Sequence, residues 1–148
     1  MWHYETTLAW AAAKEGHLHA GGKPDITVAT PPEFGGPENL WTPEDLLAGA
    51  AGACLLTSAL HYIERAGVAL HSYTSNSAAT MEKTRRGLAI TGLCIDIAIT
   101  VRQTADVAPA ERALEKAEST CPITGVLSCP VTVNPQIRSL EEVDHATL

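Results

Sequence analysis

The chain has 148 residues, 45% of them hydrophobic and 18% charged, which suits one folded domain over 1–148 with its own core and excludes a disordered chain. A formal net charge of -7 and a pI near 5.2 exclude a phosphate-backbone ligand, because nucleic-acid binding leans on a basic surface. Cysteines stand at 54, 94, 121 and 129 with no CxxC and no zinc-finger spacing, so reactive or buried thiols are expected rather than a disulfide framework or a zinc site.

Met1–Ala13 alternates like a strand where a basic n-region and an apolar h-region would mark export, which points to a cytoplasmic chain. Lys14-Glu15-Gly16 makes a turn and His17–Ala20 a returning strand. After the break at Gly21-Gly22-Lys23-Pro24 comes a third strand, Asp25–Ala29. Thr30–Leu40 holds three prolines and two glycines and is expected as a long shaped loop without regular structure.

Thr42-Pro43-Glu44-Asp45 starts a helix, with Thr42 as N-cap, Pro43 at the first helical position and two carboxylates facing the positive dipole end. The helix is expected to reach Ala66, with Gly67 as C-cap. Its charge-free run Leu46–Ile63 approaches the roughly 20 residues of a membrane span, but Gly49, Gly52, Thr57, Ser58 and His61 make it too weakly apolar for lipid. A helix apolar on nearly every face is expected to be buried on every face, and so small a chain cannot cover it alone. An obligate dimer follows.

Two long strands, Leu70–Lys83 and Leu88–Arg102, form a hairpin at Thr84–Gly87. The second places Leu93, Ile95, Ile97 and Ile99 on one face and Cys94, Asp96, Ala98 and Thr100 on the other. A second helix, Ala108–Thr120, a helical turn, Ile123–Ser128, and a last strand, Pro130–Ile137, complete a βββ-α-ββ-α-β order of α+β class.

Among the cysteines, Cys54 lies in mid-helix, where burial would raise its pKa and leave a poor nucleophile unless a cation stood nearby. Cys121 precedes a helical turn whose free N–H groups favour the thiolate. Cys94 and Cys129 read as packing residues, with Cys129 a second candidate to pair with Cys54. His17 and His19 share one face of a short strand, compatible with a metal, but with no third ligand nearby they read as solvated. His61 is seven residues beyond Cys54, about 10 Å along the helix, too far to act as its base.

The stretch TPEDLLAGAAGAC at Thr42–Cys54 and CPITGVL at Cys121–Leu127, with PPEFGGPENLW ahead of the helix and a hairpin of long strands after it, resemble the OsmC/Ohr family of organic-hydroperoxide reductases from about Tyr4 to Val133. The resemblance implies an intertwined homodimer with two long central helices packed against sheets, six strands per chain, and two active sites at the interface. It implies a thiol peroxidase of oxidative-stress defence. Cys54 attacks the peroxide, Cys121 resolves the sulfenic acid to a disulfide, and a dithiol such as a lipoylated protein reduces it, with no metal, flavin or haem. Glu44 matches the family glutamate ten residues before the first cysteine.

The family arginine after the first strand falls on Lys14 in AAAKEGHL, which keeps the charge but loses the planar fork. This departure leaves open a second reading, a non-peroxidatic dimeric binding module or thiol carrier. Along a straight helix Glu44 lies about 15 Å from Cys54, so its influence must pass through a mediator such as Lys14 or across the dimer. Arg85 and Arg86 at the hairpin tip are lesser candidates for the cation. Phe34, Leu40 and Trp41 fit either a staple at the helix start or an apolar wall for the organic part of a peroxide.

Overall fold

The structure, a computed structural model, describes residues 1–142. The described chain gathers into two compact units, Met1–Leu47 and a second that begins at Ala48.

The first unit is an antiparallel meander of β1 (Thr7–Ala12), β2 (Glu15–His19) and β3 (Ile26–Ala29), paired in that order. β1 starts at Thr7 rather than at Met1, because the five residues of β2 have partners to offer only from Thr7 onward. Ala13 turns the chain with a φ of 44°, and the Trp10 indole N–H donates to its carbonyl at 3.1 Å. The loop expected to lack regular structure contains one 3-10 turn, Pro32–Phe34, where two successive prolines preset φ and Gly35, at a φ of 79°, ends the turn. Trp41 then bridges to Val28, its carbonyl accepting from the Ala29 N–H at 2.8 Å.

Helix α1 (Pro43–Arg65) opens with a reciprocal cap. The Asp45 N–H donates to Thr42 Oγ1 at 3.2 Å, while Thr42 N–H and Oγ1–H donate to Asp45 Oδ2 at 3.0 and 2.9 Å. Gly67, with a φ of 68°, closes it.

In the second unit, β4 (Leu70–Thr84), β5 (Gly87–Val101) and β6 (Val131–Ser139) form a sheet in that order, β4–β5 antiparallel and β5–β6 parallel. A parallel pair needs a crossover, supplied by α2 (Val107–Thr120). The alternation read along β5 holds: Leu93, Ile95, Ile97, Ile99 and Val101 are buried, and Cys94, Asp96, Ala98 and Thr100 take the other face. Onto the apolar face pack Ala51, Leu55, Ala59 and Ile63 of α1 and Ala110, Ala113, Leu114 and Ala117 of α2.

The single chain does not cover the helix on every face, as expected of so small a chain. α1 buries one stripe, Ala48, Ala51, Gly52, Leu55, Ala59 and Ile63, and leaves Gly49, Ala50, Ala53, Thr57, Leu60 and His61 exposed. Among the described residues α1 is the one helix long and apolar enough to cross a membrane by length and composition. Gly52 sits where a Cβ would collide with the Ser77 hydroxyl, so its lack of a side chain sets how closely the helix approaches β4.

Candidate active site

Two cysteines 67 positions apart meet in the second unit. Cys54, half-buried at the edge of the α1 stripe, and Cys121, buried where α2 ends, place their Sγ atoms 2.7 Å apart. Both are free thiols. A disulfide bond is about 2.05 Å long, so closing one requires an approach of about 0.7 Å.

The pair shares its protons unequally. Burial pushes the Cys54 thiol up, and its hydrogen bond to Cys121 and the charge there push it further; the Ile123 N–H and the Ser58 hydroxyl, one helical turn on, oppose this without cancelling it. Burial acts on Cys121 in the same direction. It is outweighed by hydrogen bonds from Cys54, from the Thr124 hydroxyl and from the N–H groups of Thr124 and Ile123, so Cys121 lies below the usual thiol range. In this pair the thiol form is favoured at Cys54 and the thiolate at Cys121. The cause is local: Pro122 and the 3-10 turn Thr124–Val126 leave backbone N–H groups facing Cys121.

Sequence reading found the two thiols and the cap of Cys121 but missed Ser58, whose i, i+4 spacing from Cys54 was the available signal. It put Cys94 on the right face of β5 but expected it to pack. Cys94 stands on the polar face of β5, where Asn134 Nδ2 donates to its sulfur at 3.3 Å and to Asp96 Oδ1 at 2.8 Å, and the neighbouring Asp96 joins burial in raising its pKa. The reason is register: Cys94 is even-numbered on a strand whose odd residues face the core. Cys129 packs against the core as expected. His61 is exposed and stacks edge-on with Tyr62.

The other expected site residues belong to the first unit. Lys14 Nζ donates to the Phe34 carbonyl at 2.6 Å, and Glu44, the family-matched carboxylate, has a buried Oε2 with no hydrogen-bond partner among the described residues. A groove of about 380 Å³ is walled by Leu8, Trp10, Lys14, Val28, Pro31 and Pro43. Phe34 and Trp41 are exposed and Leu40 half-buried, and none of the three lines that groove. His17 accepts or donates weakly at Thr27 Oγ1, 3.4 Å away, and His19 Nδ1 meets Asp25 Oδ1 at 2.5 Å. Among the described residues no group of three or more His, Cys, Asp and Glu side chains is arranged to hold a metal ion. A roomier groove, about 680 Å³, opens over Asn76, Asp96, Asn134 and Gln136; neither Cys54 nor Cys121 lines it, so size does not locate the chemistry.

The family model described as OsmC-like protein matches residues 36–136. That span contains Glu44, Cys54 and Cys121 and leaves Lys14 outside. No curated protein matches the sequence significantly. An OsmC-like protein of unknown function from Vibrio cholerae superposes with a TM-score of 0.84 at 16% identity, over 92% of this chain and 100% of that one. An organic hydroperoxide resistance protein OsmC from Legionella pneumophila gives 0.70 at 23% identity, over 93% and 98%. One from Elizabethkingia anophelis gives 0.71 at 18%, over 94% and 97%.

Proposed function

Because the chain belongs to the OsmC-like protein family, we propose that it is a cytoplasmic, homodimeric thiol peroxidase that reduces organic hydroperoxides in defence against oxidative stress. The observation that carries this reading is the 2.7 Å separation of the Cys54 and Cys121 sulfurs, which is what a peroxidatic thiol and its resolving partner require. Two relatives in fold are named organic hydroperoxide resistance proteins, which supports the same substrate class. The exposed apolar residues of α1 and of β1 support a second copy as their cover.

The Cys54 thiolate attacks the outer peroxide oxygen. The O–O bond breaks, the alkoxide takes up a proton and leaves as the alcohol, and Cys54 becomes a sulfenic acid. The Cys121 sulfur then attacks the Cys54 sulfur; the S–O bond breaks, hydroxide leaves with a proton as water, and the disulfide forms. A dithiol, for which a lipoylated protein is one candidate, supplies two electrons and two protons to restore both thiols. Burial and Cys121 favour the proton on Cys54, so it must move before attack, and the Cys121 sulfur 2.7 Å away is within reach to take it. Lys14 is our candidate for the cation that holds the charge on Cys54 afterwards, with Glu44 acting through it. Among the described residues the Lys14 ammonium is held by a carbonyl and not by a carboxylate, and a Glu44 oxygen has no partner. Phe34, Leu40 and Trp41 are candidates for contact with the organic group.

The proton on Cys54 and the lysine at position 14 favour the second reading, a non-peroxidatic binding module or thiol carrier. Consumption of cumene hydroperoxide with a dithiol reductant separates the two. The peroxidase consumes it far faster than free thiol does; Cys54→Ser abolishes turnover, and Cys121→Ser consumes one equivalent and stalls. Wild-type consumption no faster than free thiol selects the second reading.

A further inference from the structure

Helix α2 sorts its charges by sign. Glu111 and Glu115 stand at i, i+4, and so do Arg112 and Lys116, leaving Arg112 with Glu115 at i, i+3 as the one attractive spacing. The buried stripe Ala110, Ala113, Leu114 and Ala117 runs between them, so the carboxylates occupy one flank and the cations the other. The cationic flank lines a groove of about 410 Å³ whose opposite wall is Tyr62 and Arg65 from the last turn of α1, with Pro109 at one end. Three of the chain's 10 Lys and Arg thus converge in a molecule of net charge -7. Among the described residues the one salt bridge is His19 with Asp25, so none of the three cations has a carboxylate partner.

One wall residue of the groove links it to the end of α2 that carries Cys121. The Tyr62 hydroxyl bonds Thr120 Oγ1 at 3.2 Å, and Thr120 precedes Cys121. All three cations are exposed, with no buried donor beside them to fix a small anion, which fits a broad acidic surface steered by charge.

We infer that this groove is the docking surface for an acidic, dithiol-bearing protein that reduces the Cys54–Cys121 disulfide. The inference rests on the peroxidase reading for the existence of that disulfide. One thiolate of the partner attacks the disulfide, the S–S bond breaks, and a mixed disulfide forms as one cysteine leaves as thiolate. The partner's second thiolate then displaces the other cysteine, so the partner ends as a disulfide, having given up two electrons, and the protons return to Cys54 and Cys121.

The test uses the full chain, oxidised by one equivalent of diamide and assayed for return of its thiols. The probes are a synthetic Cys-x-x-Cys peptide flanked by Asp and Glu, the same peptide with Asn and Gln in their place, and dithiothreitol. The acidic peptide is expected to react about tenfold faster than the neutral one at low salt and to lose that advantage at high salt. Replacing Arg65, Arg112 and Lys116 together by Gln should bring the acidic peptide to the neutral rate and leave dithiothreitol unaffected; Arg112→Gln alone should give part of that effect. Equal rates for the two peptides on wild type, or an acidic preference that survives the triple substitution, overturns the docking surface while dithiothreitol still returns the thiols. A pair that neither diamide nor hydroperoxide closes into a disulfide overturns the peroxidase reading and this inference together.

Discussion

The two sheets have three strands each, and one is finished where the other is not. The sheet β4-β5-β6 lays its odd-numbered β5 residues under two helices, and Ile95, Ile99 and Val101 are wholly buried. The meander β1-β2-β3 has apolar residues at matching alternation, yet every residue of β1 is exposed, Leu8 at 62% and Trp10 at 77%. Burying one such side chain is worth about 1.5–3 kcal/mol, so the sheet β4-β5-β6 is stabilised from within its unit and the meander leaves that gain unclaimed. The difference teaches that strand patterning marks which face wants cover, and says nothing of which chain provides it.

The largest expected effect tests the finished half. Leu55→Ala removes a side chain 1% exposed in the centre of the α1 stripe and should cost about 2–5 kcal/mol in urea unfolding, as large-to-small core substitutions do. Leu8→Ser with Trp10→Ser should change the stability of the single chain by no more than about 0.5 kcal/mol, the usual range for exposed positions. The same pair should lower the scattering mass toward the 15.6 kDa of one chain. A midpoint loss for the β1 variant as large as that for Leu55→Ala, in samples of single-chain mass, would break the comparison.

How much of this was legible in the sequence follows the range of the forces involved. The β5 alternation, the Thr42 cap and the Gly67 stop are local and were read correctly, because period and capping depend on neighbours a few residues apart. The meeting of Cys54 with Cys121 joins residues 67 positions apart, and no local pattern encodes it; the family resemblance did. The exposed side of α1 was anticipated, because a helix apolar all round reports a need for burial that one chain does not meet. The charge sorting on α2 was in plain view, but its meaning needed Arg65, 47 positions before Arg112, to stand across the groove.

A medium effect concerns the thiol pair, whose described influences all lie in the finished half. With Cys94 and Cys129 replaced, Cys54→Ala takes a hydrogen-bond donor from Cys121, so its thiolate is less stabilised and its alkylation by iodoacetamide should move to higher pH. Cys121→Ala takes away the hydrogen bond and the charge that hold the proton on Cys54, so alkylation there should move to lower pH, with burial still opposing. Opposite shifts identify one proton shared between two sulfurs; shifts in the same direction would contradict it. Adding Lys14→Met sharpens the comparison: an unchanged Cys54 profile means the finished half sets that thiol alone, and a rise means that the first unit contributes.

The smallest effect asks whether the finished half is finished. Tyr73, on β4, has a buried hydroxyl without a partner among the described residues, and burial pushes its pKa up to about 12. An unpaired buried hydroxyl costs free energy and a phenyl ring of the same shape does not, so Tyr73→Phe should hold or raise stability at neutral pH, by at most about 1 kcal/mol. The alkaline limb carries the sign. Because the folded pKa stands above the ordinary value of 10, the unfolded chain gives up this proton first; the contribution of Tyr73 is whole below pH 10 and falls away between about 10 and 12. Tyr73→Phe should flatten the loss of stability in that window, measured by urea unfolding at a series of alkaline pH values. A variant less stable at neutral pH would mean that the hydroxyl has a partner outside the single chain, and that the sheet read as complete also awaits something laid against it.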